Sequence, residues 1–433
     1  MRKLLIALLL FITTPCLAFG PAIQAVLSAG GAAAANPMKQ KFLSGEGSLL
    51  STAADRYLNV VDGRTDSVEN EETSLIPVAG TIRNLRVRLS VAPDTGAGVQ
   101  SYVILVRTAS GASAMGNSTL TCTIADAATT CSDTEHSFTV AADDKISIQV
   151  TPSGTPTAAK ISTMLEFQGN IANRVALTAS TNVLTVTDAT TKYVPIHGGG
   201  LPGTSDVGIS QCMPITGTIK AFYLRQTAAV GAGVSRTYTI LKNGGDEATS
   251  SLTLNDDSTL AASVSNLNIA VTAGDVFSIR YVNTGTIAAA FGFLGILFEP
   301  TTNGQFPIMS SSAGATIAGG ETVYLPQSSM QDIAAAEALF NAGYDDYTIT
   351  GMFAVVSVAP AGEQTVTITP RVQTGPGDAS NPPACTITGA ELGCSSTGTI
   401  TPAQFEGYDT KVVLSATAAT TRIRTGYIGY IAP

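Results

Sequence analysis

The chain has 433 residues, of which 44% are hydrophobic and 13% charged, with a net charge of −9, no Trp and two His. That apolar content excludes global disorder, and the acidic balance excludes a nucleic-acid partner held by a Lys/Arg-rich surface. Two His leave little room for His-based catalysis or metal binding.

Arg2 and Lys3 precede an apolar run from Leu4 to Ile12, then Thr13-Thr14-Pro15 and small residues. This order predicts a secretory signal peptide over residues 1–18, cleaved after Ala18 or, alternatively, after Ala22. The run falls short of the ~20 apolar residues that span a bilayer, and no later segment reads as transmembrane. Pro15 before Cys16 departs from a lipoprotein signal. The expected address is extracytoplasmic: periplasm, cell surface or extracellular space. Residues 19–42 follow as an Ala/Gly-rich leader, in which Ile23 to Asn36 is either flexible or a short docking helix.

Three copies of one unit are expected next, over residues 43–170, 171–301 and 302–433. Gly80-Thr81-Ile82, Gly217-Thr218-Ile219 and Tyr347-Thr348-Ile349 open an apolar stretch in each copy. Glycine-bearing turns follow at Ala97-Gly98-Val99, Ala232-Gly233-Val234 and Ala361-Gly362. Asp144 and Asp275 lie 131 positions apart and Asp275 and Asp409 lie 134 apart, which assigns one turn to all three. Gly292 and Gly295 lie 134 before Gly426 and Gly429.

Within a copy the period is two. Leu85-Arg86-Val87-Arg88-Leu89 alternates apolar with charged residues, the signature of a half-buried strand, and Asn243-Gly244 reads as a hairpin turn. About eight short strands per copy imply an all-β chain of three tandem, jelly-roll-like β-sandwich domains. One interruption is expected in the third. Ser328-Ser-Met-Gln331 has capping-box spacing before the Ala-rich stretch Asp332 to Ala342, and Gly343 is placed to stop a helix of roughly three turns.

Two cysteine pairs share one spacing, Cys122 with Cys131 and Cys385 with Cys394, and both begin Cys-Thr-Ile. Each predicts a disulfide closing a hairpin in an oxidising compartment, because a zinc site needs closer Cys pairs and nearby His. Cys212 is left over, either a buried thiol or an intermolecular link.

The residues point away from a metal, a cofactor or a catalytic centre. No Gly-x-Ser-x-Gly elbow occurs, and His136 and His197 fall in different copies with no recurrent partner. Gly198-Gly-Gly-Leu-Pro-Gly203 matches a nucleotide fingerprint formally, but Pro202 and the following Thr-Ser-Asp make it a loop. Asp62, Asp66, Glu69, Glu71 and Glu72 form an acidic loop, read as solvated, with calcium as the alternative. The adjacent pairs Asp143-Asp144, Asp256-Asp257 and Asp345-Asp346 sit at turns. In an extended strand neighbouring side chains point oppositely, which suits them poorly to a glycosidase. Without Trp, the usual platform for stacking a sugar is missing, although Tyr223, Tyr281, Tyr344 and Tyr347 could substitute in part.

At Cys122-Thr-Ile-Ala-Asp-Ala-Ala-Thr-Thr-Cys131-Ser-Asp-Thr, Val140 to Asp144 and Thr151-Pro-Ser-Gly-Thr-Pro156, the chain resembles uncharacterised β-sandwich repeats of exported bacterial and phage-associated proteins. Gly292-Phe-Leu294 and Gly426-Tyr-Ile428 resemble the last strand of C1q/TNF-type jelly rolls, which implies that the three copies pack as a pseudo-trimer. The expected function is a non-catalytic secreted or surface-exposed structural or binding protein. The alternatives are a phage virion subunit (fibre or decoration) and a carbohydrate-active hydrolase using acidic loop residues. The partner is a protein or glycan surface without nucleic acid, and homo-oligomers are open.

Overall fold

Alternation places Ile82, Leu85, Val87 and Leu89 in the core and leaves Arg86 and Arg88 partly exposed along the strand Gly80–Leu89. Strands of this kind build most of the described residues. The computed structural model describes residues 37–45, 49–94, 99–181, 191–199, 203–256, 258–287, 289–312, 314–326, 328–330, 333–335, 341–342, 346–373, 382–404 and 407–432. The expected signal segment and the leader up to residue 36 lie outside them.

Each repeat contains eight main strands in two antiparallel sheets. In the first repeat, strands one, eight, three and six (Pro37–Ser44, Ile161–Ala172, Gly80–Leu89 and Thr130–Val140) form one sheet in that order. Strands two, seven, four and five (Arg56–Leu58, Asp144–Ser153, Ser101–Ser110 and Gly116–Ala125) form the other. The second repeat has the same two orders, with Val175–Ser180, Gly292–Pro300, Gly217–Gln226 and Ala261–Val271 facing Thr191–Val194, Val276–Thr284, Gly231–Lys242 and Leu252–Asp256. So has the third, with Gln305–Ser311, Ile423–Tyr430, Thr348–Val356 and Gly393–Ile400 facing Thr322–Pro326, Gly407–Leu414, Thr365–Gln373 and Cys385–Thr388. This is the jelly-roll topology, present three times. The third strand carries a bulge at matching places, between Arg83 and Leu85, Ile219 and Ala221, and Ile349 and Gly351. In the first copy Asn84 absorbs it at φ 55°.

The strand Pro37–Ser44 straddles the expected boundary between leader and first repeat. It pairs along its length with Ile161–Ala172, as the matching strands do in the other repeats.

A two-residue strand precedes the third strand of every repeat and pairs with the seventh: Ser74–Leu75, Gln211–Cys212 and Asn341–Ala342. Its registers put Ile146, Phe277 and Tyr408 in equivalent places. Asp144 and Asp275 do share a turn, for each carboxylate accepts the backbone N–H three residues earlier, at 2.7 Å from Ala141 and from Thr272. Asp409 does not share it. It lies inside the strand Gly407–Leu414, buried, where Ser147 and Ser278 stand in the other repeats. The glycines also shift. Tyr223 pairs with Gly295 and Phe353 with Gly426, so Gly295 matches Gly426 and not Gly429. A match of three residues in error reverses the sheet face, because side chains alternate.

The expected helix after Ser328 is not found where that segment is described. Ala334 bridges to Tyr324, and Asn341–Ala342 forms the short strand against Tyr408 and Gly407. Residues 331–332, 336–340 and 343 lie outside the described residues. At Asn341–Ala342, pairing with the seventh strand, the role this position has in all three repeats, overrides local helix propensity. The α-helix that is described, Asp206–Ile209, belongs to the second repeat.

Both expected disulfides form, Cys122–Cys131 and Cys385–Cys394. Neither closes a hairpin within a sheet. Cys122 and Cys385 sit on strand five of one sheet, and Cys131 and Cys394 on strand six of the other. Each bond therefore ties the two layers together at their open edge.

Candidate functional site at the repeat junctions

Leu75-Ile-Pro77 and Cys212-Met-Pro214 occupy the same place before their Gly-Thr-Ile landmarks. Each ribbon crosses onto the next repeat. Leu75 O and Pro77 lie over Gly295 on the eighth strand of repeat 2, where an added Cβ would come within 3.0 and 3.2 Å of them. Cys212 O and Pro214 lie over Gly426 on the eighth strand of repeat 3, where the clearances fall to 2.6 and 2.9 Å. Asn341–Ala342 of repeat 3 in turn approaches the eighth and first strands of repeat 1. One head-to-tail contact is thus used three times and closes on itself, as a heterologous interface does when its rotation completes a ring.

Apolar packing crosses the same joints. Ala176, Ala221 and Leu297 of repeat 2 join the core of repeat 1, and Met38, Leu43 and Met164 of repeat 1 join that of repeats 2 and 3. Residues Asn36–Pro433 consequently form one compact unit. Polar groups add to the joints. Gln40 Nε2 donates to Ala176 O at 2.8 Å and its Oε1 accepts from Ala176 N at 2.7 Å, while Ser328 Oγ donates to Leu43 O at 2.8 Å.

The acidic loop lies at the first joint, and only part of it is solvated. Asp66 accepts from Val68 N at 2.9 Å, and Glu69 accepts from Arg107 Nε at 2.6 Å and Ser147 Oγ at 2.8 Å. In repeat 2, Asp206 takes the matching bond from Ser278 Oγ. Asp62 and Glu72 are fully buried, which corrects the reading of this loop as a solvated one. An added Cβ on Gly199 of repeat 2 would lie 2.5 Å from Asp62 Oδ2. Burial raises the Asp62 pKa to about 7, offset in part by Arg64, and raises Glu72 well above the usual range with help from Asp62. Among the described residues no group of three or more His, Cys, Asp or Glu could hold a metal.

The other sequence-predicted groups stay apart. His136, on strand six of repeat 1, lies with Nδ1 3.0 Å from Asp133. His197 of repeat 2 is buried; its Nδ1 accepts from Thr178 N at 3.2 Å, and burial lowers its pKa to about 4. Gly198–Gly199 forms a short strand parallel to Ala179–Ser180, and residues 200–202 lie outside the described residues. Asp143 is engaged by Arg225 of repeat 2 across the joint. Asp256 caps its own turn through Ser258 N and Thr259 N, and Asp257 and Asp345 lie outside the described residues. Tyr281 and Tyr347 are buried core residues, Tyr223 is half-buried, and Tyr344 lies outside the described residues. Cys212 is a buried free thiol whose pKa burial pushes up to about 12. Sequence reasoning missed Pro77 and Pro214. Their signal was the constant spacing to Gly80 and Gly217.

No family model and no curated protein matches this sequence. Among solved structures, the chain is similar to one from the naturally occurring empty particles of cowpea mosaic virus, at 13% identity over 61% of this chain and 89% of that one, with a TM-score of 0.21. It is similar to a chain of Sulfolobus turreted icosahedral virus at 11% identity over 82% of each, TM-score 0.17. It is also similar to an insecticidal delta-endotoxin of Bacillus thuringiensis at 10% identity over 53% of each, TM-score 0.16. At such low TM-scores none of these overlaps identifies the chain.

Proposed function

We propose that this is an exported, non-catalytic structural protein whose work is contact. The observation that carries the reading is the closed head-to-tail arrangement of three jelly rolls, whose joints are held by polar contacts as well as by apolar packing. Asp143, Gln40, Asp62 and Ser328 are engaged between repeats. The two disulfides suit an oxidising compartment, and no helix among the described residues is long and apolar enough to cross a membrane. Expression with the native leader tests the reading. The account expects export with residues 1–18 removed and no turnover in a polysaccharide screen. Turnover abolished by a single Asp→Asn change would replace it with the hydrolase alternative.

A second reading, a virion fibre or decoration subunit, has its own support. The joints use strands one and eight of each repeat, while strand six, at the sheet edge, keeps a largely exposed outer face in all three copies. Such edges are available for pairing with another chain. Regular multimers in electron micrographs of the purified protein favour this reading, and isolated particles favour a secreted module.

A further inference from the structure

The sixth strand of repeat 2, Ala261–Val271, is the outer edge of its sheet. Gln226 N donates to Leu260 O, and Leu224 stands opposite Ala262. In an antiparallel ladder the bonded pairs alternate, so those facing the third strand fall at positions 260, 262 and 264. The N–H and C=O groups of Ala261, Ser263 and Ser265 point the other way, off the edge. These three residues are exposed, while Ala262 and Val264 between them pack on the core of the repeat.

Edges are normally guarded by charge, by a bulge or by cover. The guards of this strand begin only after Ser265. Asn266, at φ 62°, lies at the bulge, and Lys242 Nζ donates to Ala270 O at 2.7 Å. Residues 261–265 carry no charge, no Pro and no bulge. The sixth strands of the other repeats are less open. In repeat 1 it contains Asp133, Glu135 and His136, and Asp133 accepts from Thr121 N of strand five. In repeat 3 the backbone of Pro382 and Pro383 closes on Gly398, where an added Cβ would come within 2.8 Å of Pro383 N.

We propose that residues 261–265 pair antiparallel with the same segment of a second copy of this chain, about a twofold axis at Ser263. Ser263 then faces its own copy and Ala261 faces Ser265 on either side, each pair exchanging both N–H···O bonds. Pairing about a twofold sets a strand against itself, so a charge near the axis meets its own sign. Here only small and hydroxyl side chains meet on the outer face. In repeat 1 the same pairing would crowd Asp133 and Glu135 of both copies. A contact this short falls below the ~1,200 Å² of a stable interface, so the dimer is reversible and concentration-dependent. Such pairing rests on the reading of strand six as an assembly edge, and it narrows that edge to one repeat.

Sedimentation velocity of the full exported chain, from about 1 to 500 μM, covers the range in which weak interfaces dissociate. A reversible monomer–dimer equilibrium is expected. Ser263→Pro removes an N–H that points off the edge, and it should raise the dissociation constant by about tenfold or more with the melting transition intact. Ser263→Lys and Ser263→Glu should each weaken dimers of their own kind and restore them when mixed, which decides the matter if Ser263→Pro does not fold. A monomer at every concentration would overturn the pairing and leave the non-catalytic reading to its own export and turnover test. Self-association that all three variants keep unchanged would overturn it too, and would place the assembly contact elsewhere.

Discussion

Leu252 and Ala262 occupy, in the second repeat, the two positions that the other repeats join by a disulfide. Leu252 faces Tyr238 as Cys122 faces Ile104 and Cys385 faces Ile368. Ala262 faces Leu224 as Cys131 faces Val87 and Cys394 faces Ala354. The double variant Leu252→Cys, Ala262→Cys is expected to form a third bond spontaneously on export. Non-reducing peptide mass spectrometry should find the new linked peptide, and two free thiols there would refute the structural equivalence.

The native bonds fasten one sheet to the other across a short loop. Replacing Cys122 and Cys131 together by Ala is expected to cost about 2–3 kcal/mol on the chain-entropy model. Urea unfolding should show that loss in oxidising buffer, and the difference should vanish when both proteins are fully reduced.

The junction glycines differ in clearance, and the variants should rank accordingly. Gly426→Ala places a Cβ 2.6 Å from the Cys212 carbonyl, whereas Gly295→Ala places one 3.0 Å from that of Leu75. Backbone in a paired strand gives way poorly, so Gly426→Ala should cost about 1–3 kcal/mol and Gly295→Ala less. Thermal melting measures the order, and a reversed ranking would count against the described joint.

Asp62 titrates inside the first joint. An acid whose pKa is raised on folding binds its proton more tightly in the folded state. The stability it contributes is fully present below about pH 4 and is lost as pH rises toward 7, levelling off above that. Glu72 acts in the same direction. Asp62→Asn should therefore match the wild type near pH 4 and melt higher at pH 7.5, by on the order of 5 °C. A constant difference across that range would place Asp62 in water.

Burial decides the chemistry of the remaining thiol. Cys212, raised to about 12 and covered by repeat 3, should resist alkylation by iodoacetamide in the native protein and react once it is unfolded. Rapid native labelling would show that the joint between repeats 2 and 3 opens.

Much of this architecture was legible because it rests on local signals. Alternation revealed strands such as Gly80–Leu89, and the paired Cys-Thr-Ile segments revealed the bonds. What stayed hidden was long-range. Pro77 matters through Gly295 and Pro214 through Gly426, more than two hundred positions away, and no local rule couples such residues. The slip that matched Asp275 with Asp409 arose because both are acids near a turn, although only register tells which face a strand residue takes. Asp62 and Glu72 looked solvated because a run of acids usually is. Here both are buried, Asp62 against Gly199 of the neighbouring repeat.

Closure of three jelly rolls into a ring is the claim on which the functional account stands. Single-particle electron cryomicroscopy of the exported chain, at a resolution that separates domains, tests it most directly. The account predicts three similar lobes around a central pseudo-threefold axis, with the third repeat touching the first. A string of sandwiches in which repeats 1 and 3 do not meet would contradict it.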